Sequence, residues 1–457
     1  MSFVAKENMA VVGNVKRLLE WCALDPDFNE KYSKDPEKML KEIGVPFTPK
    51  EVAFKPRTDL SDLSIHALYP GTPAEVYAAF IDSKLAHREI IKQECAPENK
   101  AMRKWRERQV GRCNIQLGAR VVGIIQSVLT FELADGCSVG CEFCGPNAGR
   151  LKSVYRYTEE NKKLFRDVLT YMKELLGDAV SHATLYFASE PLDNPDYELF
   201  NKDFVEITGK IPQITTAVAM RHKDRLHKLL EELNEDGNTI YRFSVLSLDI
   251  FKQIIEEFSA EELALVELLP QFDEAPSNNF AKVGRHAESE GDYDNTISCI
   301  SGFVVNMARK EVRLTTPVPA SAQYPTGEII LYRGNFEDFE SFKSVINYCI
   351  KTYMSNILGP EEEFRLRKGV TFEKKDGKDV IIAEKGIKYE FTVDDSDDKI
   401  DAYKLIFDII SDEYLTRRSI VSKFNEKLEK MARPEMIFYI LNNLWKMGIL
   451  ETKSGRI

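Results

Sequence analysis

Residues 137 to 145 read Cys137-Ser-Val-Gly-Cys141-Glu-Phe-Cys144-Gly145, and no other stretch narrows so far what the chain can become. The three cysteines follow an extended run, Ile124 to Ala134, and precede a loop of Gly, Pro and Asn. A loop of that composition can curl until three thiolates converge on one inorganic cluster. A [4Fe–4S] cluster ordinarily takes four Cys. The next cysteine is Cys299, so one iron would be left open to a small-molecule ligand. A structural zinc site asks for four N/S ligands, often as two Cys-x2-Cys pairs. Only one such pair occurs here, and the first histidine after it is His182. Disulfides fit poorly with eight scattered cysteines and an N-terminus that does not read as a secretory signal.

Phe143, an apolar aromatic between the second and third cysteines, completes a pattern that resembles the signature of the radical S-adenosylmethionine (SAM) superfamily. The resemblance implies that Cys137, Cys141 and Cys144 hold one [4Fe–4S] cluster, with Phe143 beside it. It further implies that SAM chelates the open iron and is cleaved by one electron to methionine and a 5′-deoxyadenosyl radical.

At 457 residues the chain has room for two or three domains. No apolar run approaches the ~20 residues of a membrane span. A net charge of −11 argues against nucleic acid as a partner, because phosphate binding needs a basic face. Cluster assembly and free thiols point to a reducing cytoplasm.

Four regions are expected. Residues 1–120 form a helical N-terminal region, in which Asp-Pro at 25–26 and at 35–36 read as helix starts and Gly44 as a stop. This small motif reads as a plain helical hairpin; the alternative is its resemblance to leader segments of nitrile-hydratase-like and nitrogen-fixation-like peptide precursors. The helix at Lys100 to Leu117 is dense in arginine, to meet a substrate carboxylate or backbone or to form a solvated face.

Residues 121–335 alternate strand and helix, giving an α/β fold with a parallel sheet. Strands are expected at Val128–Leu133, Ala183–Phe187, Ile214–Ala219, Tyr241–Leu246, Leu263–Leu269 and Ile297–Val305, with a helix starting at Thr158. Six strands fit the partial (β/α)6 barrel of the radical SAM family. In parallel barrels the chemistry sits at the C-terminal strand ends, and the cysteine loop follows the first strand. The second strand ends in Ala188-Ser189-Glu190-Pro191, which resembles the family's Gly-Gly-Glu-Pro with Ala-Ser in place of Gly-Gly. There the resemblance gives Ser189 and Glu190 the SAM amino group. Thr216 and Ser244 offer hydroxyls for the SAM ribose and carboxylate, or bond to backbone. Asp273 to Asp294, with Gly284-Arg285-His286, is a long polar stretch on the catalytic rim, placed to cover substrate. Cys299, inside an apolar strand, would stay a protonated thiol able to donate a hydrogen atom; a core cysteine is the other reading.

Residues 336–365 form a helical connector. Residues 366–457, with three strands and three helices, resemble a winged-helix-like, PqqD-like peptide-recognition domain. A DNA-binding winged helix is the rival, but its recognition helix, Pro434 to Trp445, is too apolar for a groove. The cluster region, with Trp105-Arg-Glu-Arg-Gln and Arg112-Cys113, resembles the proteusin-type epimerases that mature ribosomally made peptides. That resemblance implies an L-to-D epimerase, with the Cα hydrogen removed by the radical and a new one returned by a thiol, for which Cys299 is the candidate. It also implies a precursor peptide as partner, its leader on the C-terminal domain and its core in the barrel, and an electron donor such as flavodoxin or ferredoxin. Crosslinking, oxidation or excision on the same scaffold are alternatives, as is a cluster-bearing regulator.

Overall fold

A computed structural model describes the chain except for residues 1, 57–63, 119–122, 278–281, 287–295, 297–298, 376–377, 384–387, 392–396 and 429–432. Side chains at 374–375, 378–379, 388–391, 397–401 and 428 are likewise outside the description.

Capping and turn residues set the N-terminal helices α1 (Met9–Leu24), α2 (Phe28–Lys34), α3 (Pro36–Glu42), α4 (Pro73–Glu94) and α5 (Lys100–Leu117). The Asp35 carboxylate accepts the Lys38 amide at 3.1 Å just ahead of Pro36, the cap-then-proline start expected there. At Asp25-Pro26 the helix is delayed: Asp25 accepts the Asp27 amide at 2.9 Å, and α2 begins only at Phe28. These helices do not stand apart from the strands. Val12, Val15 and Leu18 of α1 join the same hydrophobic core that packs beneath the sheets, and Lys84 of α4 pairs with Glu267 at 2.7 Å.

Next come β1 (Ser127–Glu132), the short β2 (Ala134–Asp135) and β3 (Ser153–Val154), then α6 (Glu159–Leu176), capped by Thr158, and α7 (Tyr197–Thr208). After them run β4 (Thr215–Thr216), α8 (Lys223–Asp236), β5 (Tyr241–Val245), α9 (Leu248–Glu257), β6 (Val266–Pro270), β7 (Ile300–Asn306), β8 (Glu311–Pro317) and β9 (Glu328–Asn335). Strand-helix alternation gives the mixed α/β fold expected, but the six strands do not form one ladder. Among the described residues they make a parallel sheet β4-β5-β6 and a second sheet β1-β7-β8-β9. In the second, β1 and β7 are parallel while β8 and β9 extend it antiparallel.

Three expectations are corrected here. The strand at 183–187 is a single parallel bridge, Thr130 to Thr184. Only one ladder bond forms there: the Phe131 amide donates to Thr184 O at 2.8 Å, while the Thr130 and Thr184 hydroxyls gather 2.9 and 2.8 Å from Tyr186 O. The strand at 214–219 shrinks to β4, because the amides of Ala217 and Val218 go to Glu190 and Thr216 side chains. The sixth strand pairs with the first rather than the fifth, and two antiparallel strands after it were not foreseen. Gly302 permits that pairing: a Cβ there would stand 2.0 Å from Val128 O, where β1 bulges onto β7.

The chain ends with α10 (Phe339–Tyr353), β10 (Phe364–Leu366), β11 (Val370–Lys375), β12 (Lys378–Ala383), β13 (Lys388–Phe391), α11 (Asp397–Ile410), α12 (Arg417–Leu428), α13 (Pro434–Lys446) and β14 (Leu450–Thr452). Strands β11-β12-β13 form the antiparallel meander expected from the sequence. Lys375 pairs with Lys378, bracketing the expected Asp376-Gly377 turn, which itself lies outside the described residues. A second core runs from Leu358 to Leu450 and takes Ile115 from α5. Among the described residues no helix is long and apolar enough to cross a membrane.

Gly302→Ala should cost about 1–3 kcal/mol, because the methyl meets backbone that can move only by spreading β1 from β7. Gly359→Ala, whose Cβ would meet only ordinary contacts, should stay within about 0.5 kcal/mol. Denaturant midpoints of the two variants check this; equal losses would contradict it.

Candidate functional site

The cysteine loop leaves the C-terminal end of β1 and is closed at its base. Ala134 pairs with Val154 and Asp135 with Ser153. Above them the Cys137 amide donates to Gly149 O at 2.9 Å and the Leu151 amide to Cys137 O at 3.1 Å. Gly136 makes this closure possible, with φ at +92° and room for no Cβ, since Arg150 O would lie 2.2 Å away. Asp193 holds the loop from the side: its carboxylate accepts the Ser138 amide at 2.8 Å and the Ser138 hydroxyl at 2.6 Å.

The three thiols sit in a shared electrostatic environment. Burial pushes Cys141 up to about 11, helped by the proximity of Cys137 and Cys144, and burial also raises Cys137. Backbone amides turn toward sulfur: Val139 N–H to Cys137 Sγ at 3.5 Å and Ala148 N–H to Cys144 Sγ at 3.3 Å. Cations reverse such shifts, since a coordinated thiol is deprotonated outright. Among the described residues no group of three His, Cys, Asp or Glu is set to hold a single metal ion. One tetrahedral ion with bonds of about 2.3 Å gathers its sulfurs to within about 4 Å of each other. A cluster binds each thiolate through a different iron and spaces them wider. Three half-exposed thiols, two of them met by N–H donors and both acting electrostatically on Cys141, are the donor set a cluster takes.

Beside the loop, Glu190 and Thr216 come together as the sequence suggested. Glu190 is 4 % exposed. Its carboxylate accepts the Ala217 amide at 3.0 Å and the Leu192 amide at 3.2 Å, and the Thr216 hydroxyl meets it as well. Burial nonetheless raises the group to about 7. Two amides leave each carboxylate oxygen with acceptor capacity to spare, so an incoming ammonium has a place to bind. Ser189 and Ser244 are half-buried, Ser244 on the same face of β5 as Arg242, and Phe143 is half-buried in the cysteine loop.

Sequence reasoning missed the group that ties the strand ends together. Glu132, at the last position of β1 and buried, accepts the Ala188 amide at 2.8 Å, Asn306 Nδ2 at 3.1 Å and Arg313 at 3.1 Å. Arg313 lies on β8, after the last of the six expected strands, so nothing local marked the pair. Asn194, also buried, donates to Leu133 O at 3.1 Å and Tyr155 O at 2.8 Å.

Cys299 is not brought to this site. It precedes β7, and its carbonyl accepts the Ser127 amide at 3.0 Å, at the start of β1, while desolvation raises its thiol as the expected protonated state requires. The cysteine loop leaves the other end of β1, five strand steps away, or about 17 Å. The apolar-strand placement expected for Cys299 is thus corrected, because pairing with β1 fixes it at the N-terminal rim. The arginines of α5 also differ from expectation. Arg106, Arg108 and Arg112 are buried and bonded to the protein's own carbonyls, including Gln126 O, Ser355 O and Pro317 O. They neither form a solvated face nor await a substrate. Of the long polar stretch, residues 273–277 and 282–286 are described, and Gly284 and Arg285 lie against the cysteine loop.

A protein of Sinorhizobium fredii (strain NBRC 101917 / NGR234), uncharacterized protein y4wI, is 31% identical over 395 residues, 81% of this chain and 76% of that protein. The chain belongs to the y4wI family. No family model matches the sequence. The crystal structure of BtrN in complex with AdoMet and 2-DOIA is similar over 48% of this chain and 87% of that one, at 16% identity and a TM-score of 0.29. That degree of likeness does not define the fold of a y4wI-family protein.

The Glu190 carboxyl gives a pH signature. Its ordinary value is 4.5 and its folded value about 7, so the protonated form is favoured by folding. The associated stability, about 3 kcal/mol, is complete below pH 4.5 and lost as pH rises through 7. Glu190→Gln removes that dependence. Its stability relative to wild type should therefore improve between pH 5 and 8, read by thermal melts at each pH. A pH-independent difference would mean that Glu190 ionises normally.

Proposed function

We propose that this protein is a radical SAM enzyme that modifies a peptide substrate. The observation that carries the reading is the arrangement at one end of β1: three electrostatically coupled thiols in a closed loop, with buried Glu190 and Thr216 in the same region. Cys137, Cys141 and Cys144 would hold a [4Fe–4S] cluster and leave one position open. When bound, that cluster and SAM supply a 5′-deoxyadenosyl radical by one-electron cleavage. Glu190 is suited to accept the SAM ammonium, because a buried carboxylate gains most from a cationic partner. Thr216 orients that carboxylate, while Asp193 and Asn194 fix the loop and the Glu190 turn to β1. The meander and helices of 366–457 support a peptide partner, since the edge of a small antiparallel sheet accepts an added strand.

In its finer form the reaction is L-to-D epimerisation at Cα, as the sequence resemblance implies. The placement of Cys299 favours a second form. Epimerisation returns a hydrogen from a thiol, and the thiol expected to do so lies at the far rim of the strands. Crosslinking or oxidation of the peptide needs no returned hydrogen.

Reconstituted, reduced protein given SAM and a candidate precursor peptide in D2O separates these outcomes. Formation of 5′-deoxyadenosine is expected, together with either one added mass unit per D-residue or a loss of two or more units. Cys299→Ala should leave 5′-deoxyadenosine formation within about two-fold of wild type. Abolished peptide conversion in that variant, with deuterium gain in wild type, would restore Cys299 as donor. No SAM cleavage under any condition would reject the radical SAM reading.

A further inference from the structure

Between β6 and β7 the chain crosses the cysteine loop at Gly284-Arg285. We propose that Arg285 is a positioning residue for the three thiols and that its charge tunes the group they hold. This inference rests on the cluster reading above.

The contacts are specific. Arg285 Nη1 donates to Cys141 O at 2.8 Å, Nη2 donates to Ala148 O, and the Arg285 amide donates to Cys144 O at 3.1 Å. One residue thereby holds the carbonyls of two candidate ligands and of the returning limb of the loop. Gly284 brings it that close. Its φ is +61°, and a Cβ there would lie 2.1 Å from Gly145 O and 2.4 Å from Cys144 O. The stretch is anchored from behind by the Gly284 amide, which donates to Pro325 O at 2.7 Å, and by fully buried Val283.

The loop needs such an external hold. Beyond its closure at Cys137, Gly149 and Arg150, its backbone bonds are single turns, Cys144 N to Cys141 O at 3.3 Å and Asn147 N to Cys144 O at 3.1 Å. Turns of that kind fix neighbours, not the separation of two limbs. A guanidinium spans both limbs because its donors form a rigid fork, whereas an ammonium is a single point. A guanidinium also brings a positive charge to the carbonyls it grips. A cation beside a thiolate-ligated cluster favours the reduced, more negative form and raises its reduction potential. Fork and charge are separable functions, which makes the proposal testable.

Full-length wild type, Arg285→Lys, Arg285→Gln and Gly284→Ala are reconstituted anaerobically with iron and sulfide. Iron retained after a chelator challenge, the reduced-state EPR spectrum and the midpoint potential are then measured. Arg285→Gln should retain at least two-fold less iron than wild type, and the cluster it keeps should reduce at a more negative potential. Arg285→Lys should restore the potential without restoring iron retention. Gly284→Ala should lose iron with the arginine intact. Circular dichroism identifies any variant that fails to fold, and Arg285→Lys, the mildest change, then decides the case. Wild-type retention, spectrum and potential in Arg285→Gln would overturn the proposal while leaving the cluster reading in place. Failure of wild type itself to load a cluster would overturn both.

Discussion

Most of this architecture turns on one buried carboxylate. Glu132 ends β1 and ties it to three separate segments through Ala188, Asn306 and Arg313. A charge so deeply placed persists only where it is paired and hydrogen-bonded. Its partners come from β8, from the end of β7 and from the turn that leads to Glu190. Those partners are therefore fixed relative to the point where the cysteine loop departs. Breaking the pair by removing one side would leave the other charge stranded, at a cost of about 3–5 kcal/mol.

The loop itself has little regular structure, and its shape is imposed from three sides. The β2–β3 pairing closes the base, Asp193 holds Ser138, and Arg285 crosses the outer limb. Each hold comes from a different part of the sequence, so the thiols are positioned by the whole strand region. A cleft of about 450 Å³ with Lys100, Lys104 and Lys446 on its walls lies between α5 and α13. It is lined by none of the loop or Glu190 residues, so its size does not make it the centre of the chemistry.

The helices could be anticipated where apolar spacing and caps agreed. Thr158 opens α6, Asp35 opens α3, and Ser247 opens α9. The long central strands could also be read, because β1 and β7 are rich in Val, Leu, Ile and Phe and are buried almost throughout. Residues 183–187 misled, since their β-branched and aromatic types meet β1 only at Thr184, where the Thr130 and Thr184 hydroxyls gather at Tyr186 O. The arginines of α5 misled as well: charge density looks the same in sequence whether a helix faces solvent or is buried against carbonyls.

The cysteine spacing, the acid after the second expected strand and the alternation of elements are properties of the chain by itself. They follow from local chemistry: thiols seven residues apart at most, glycines that permit the turn, caps within three residues of a helix. Which strand lies beside β1, and at which end of it Cys299 sits, was decided only in three dimensions. A parallel partner's register is set by long-range packing against Gly302 and Val128. The same holds for Arg285, some 140 residues after the carbonyls it grips, where only the folded chain brings donor and acceptor together.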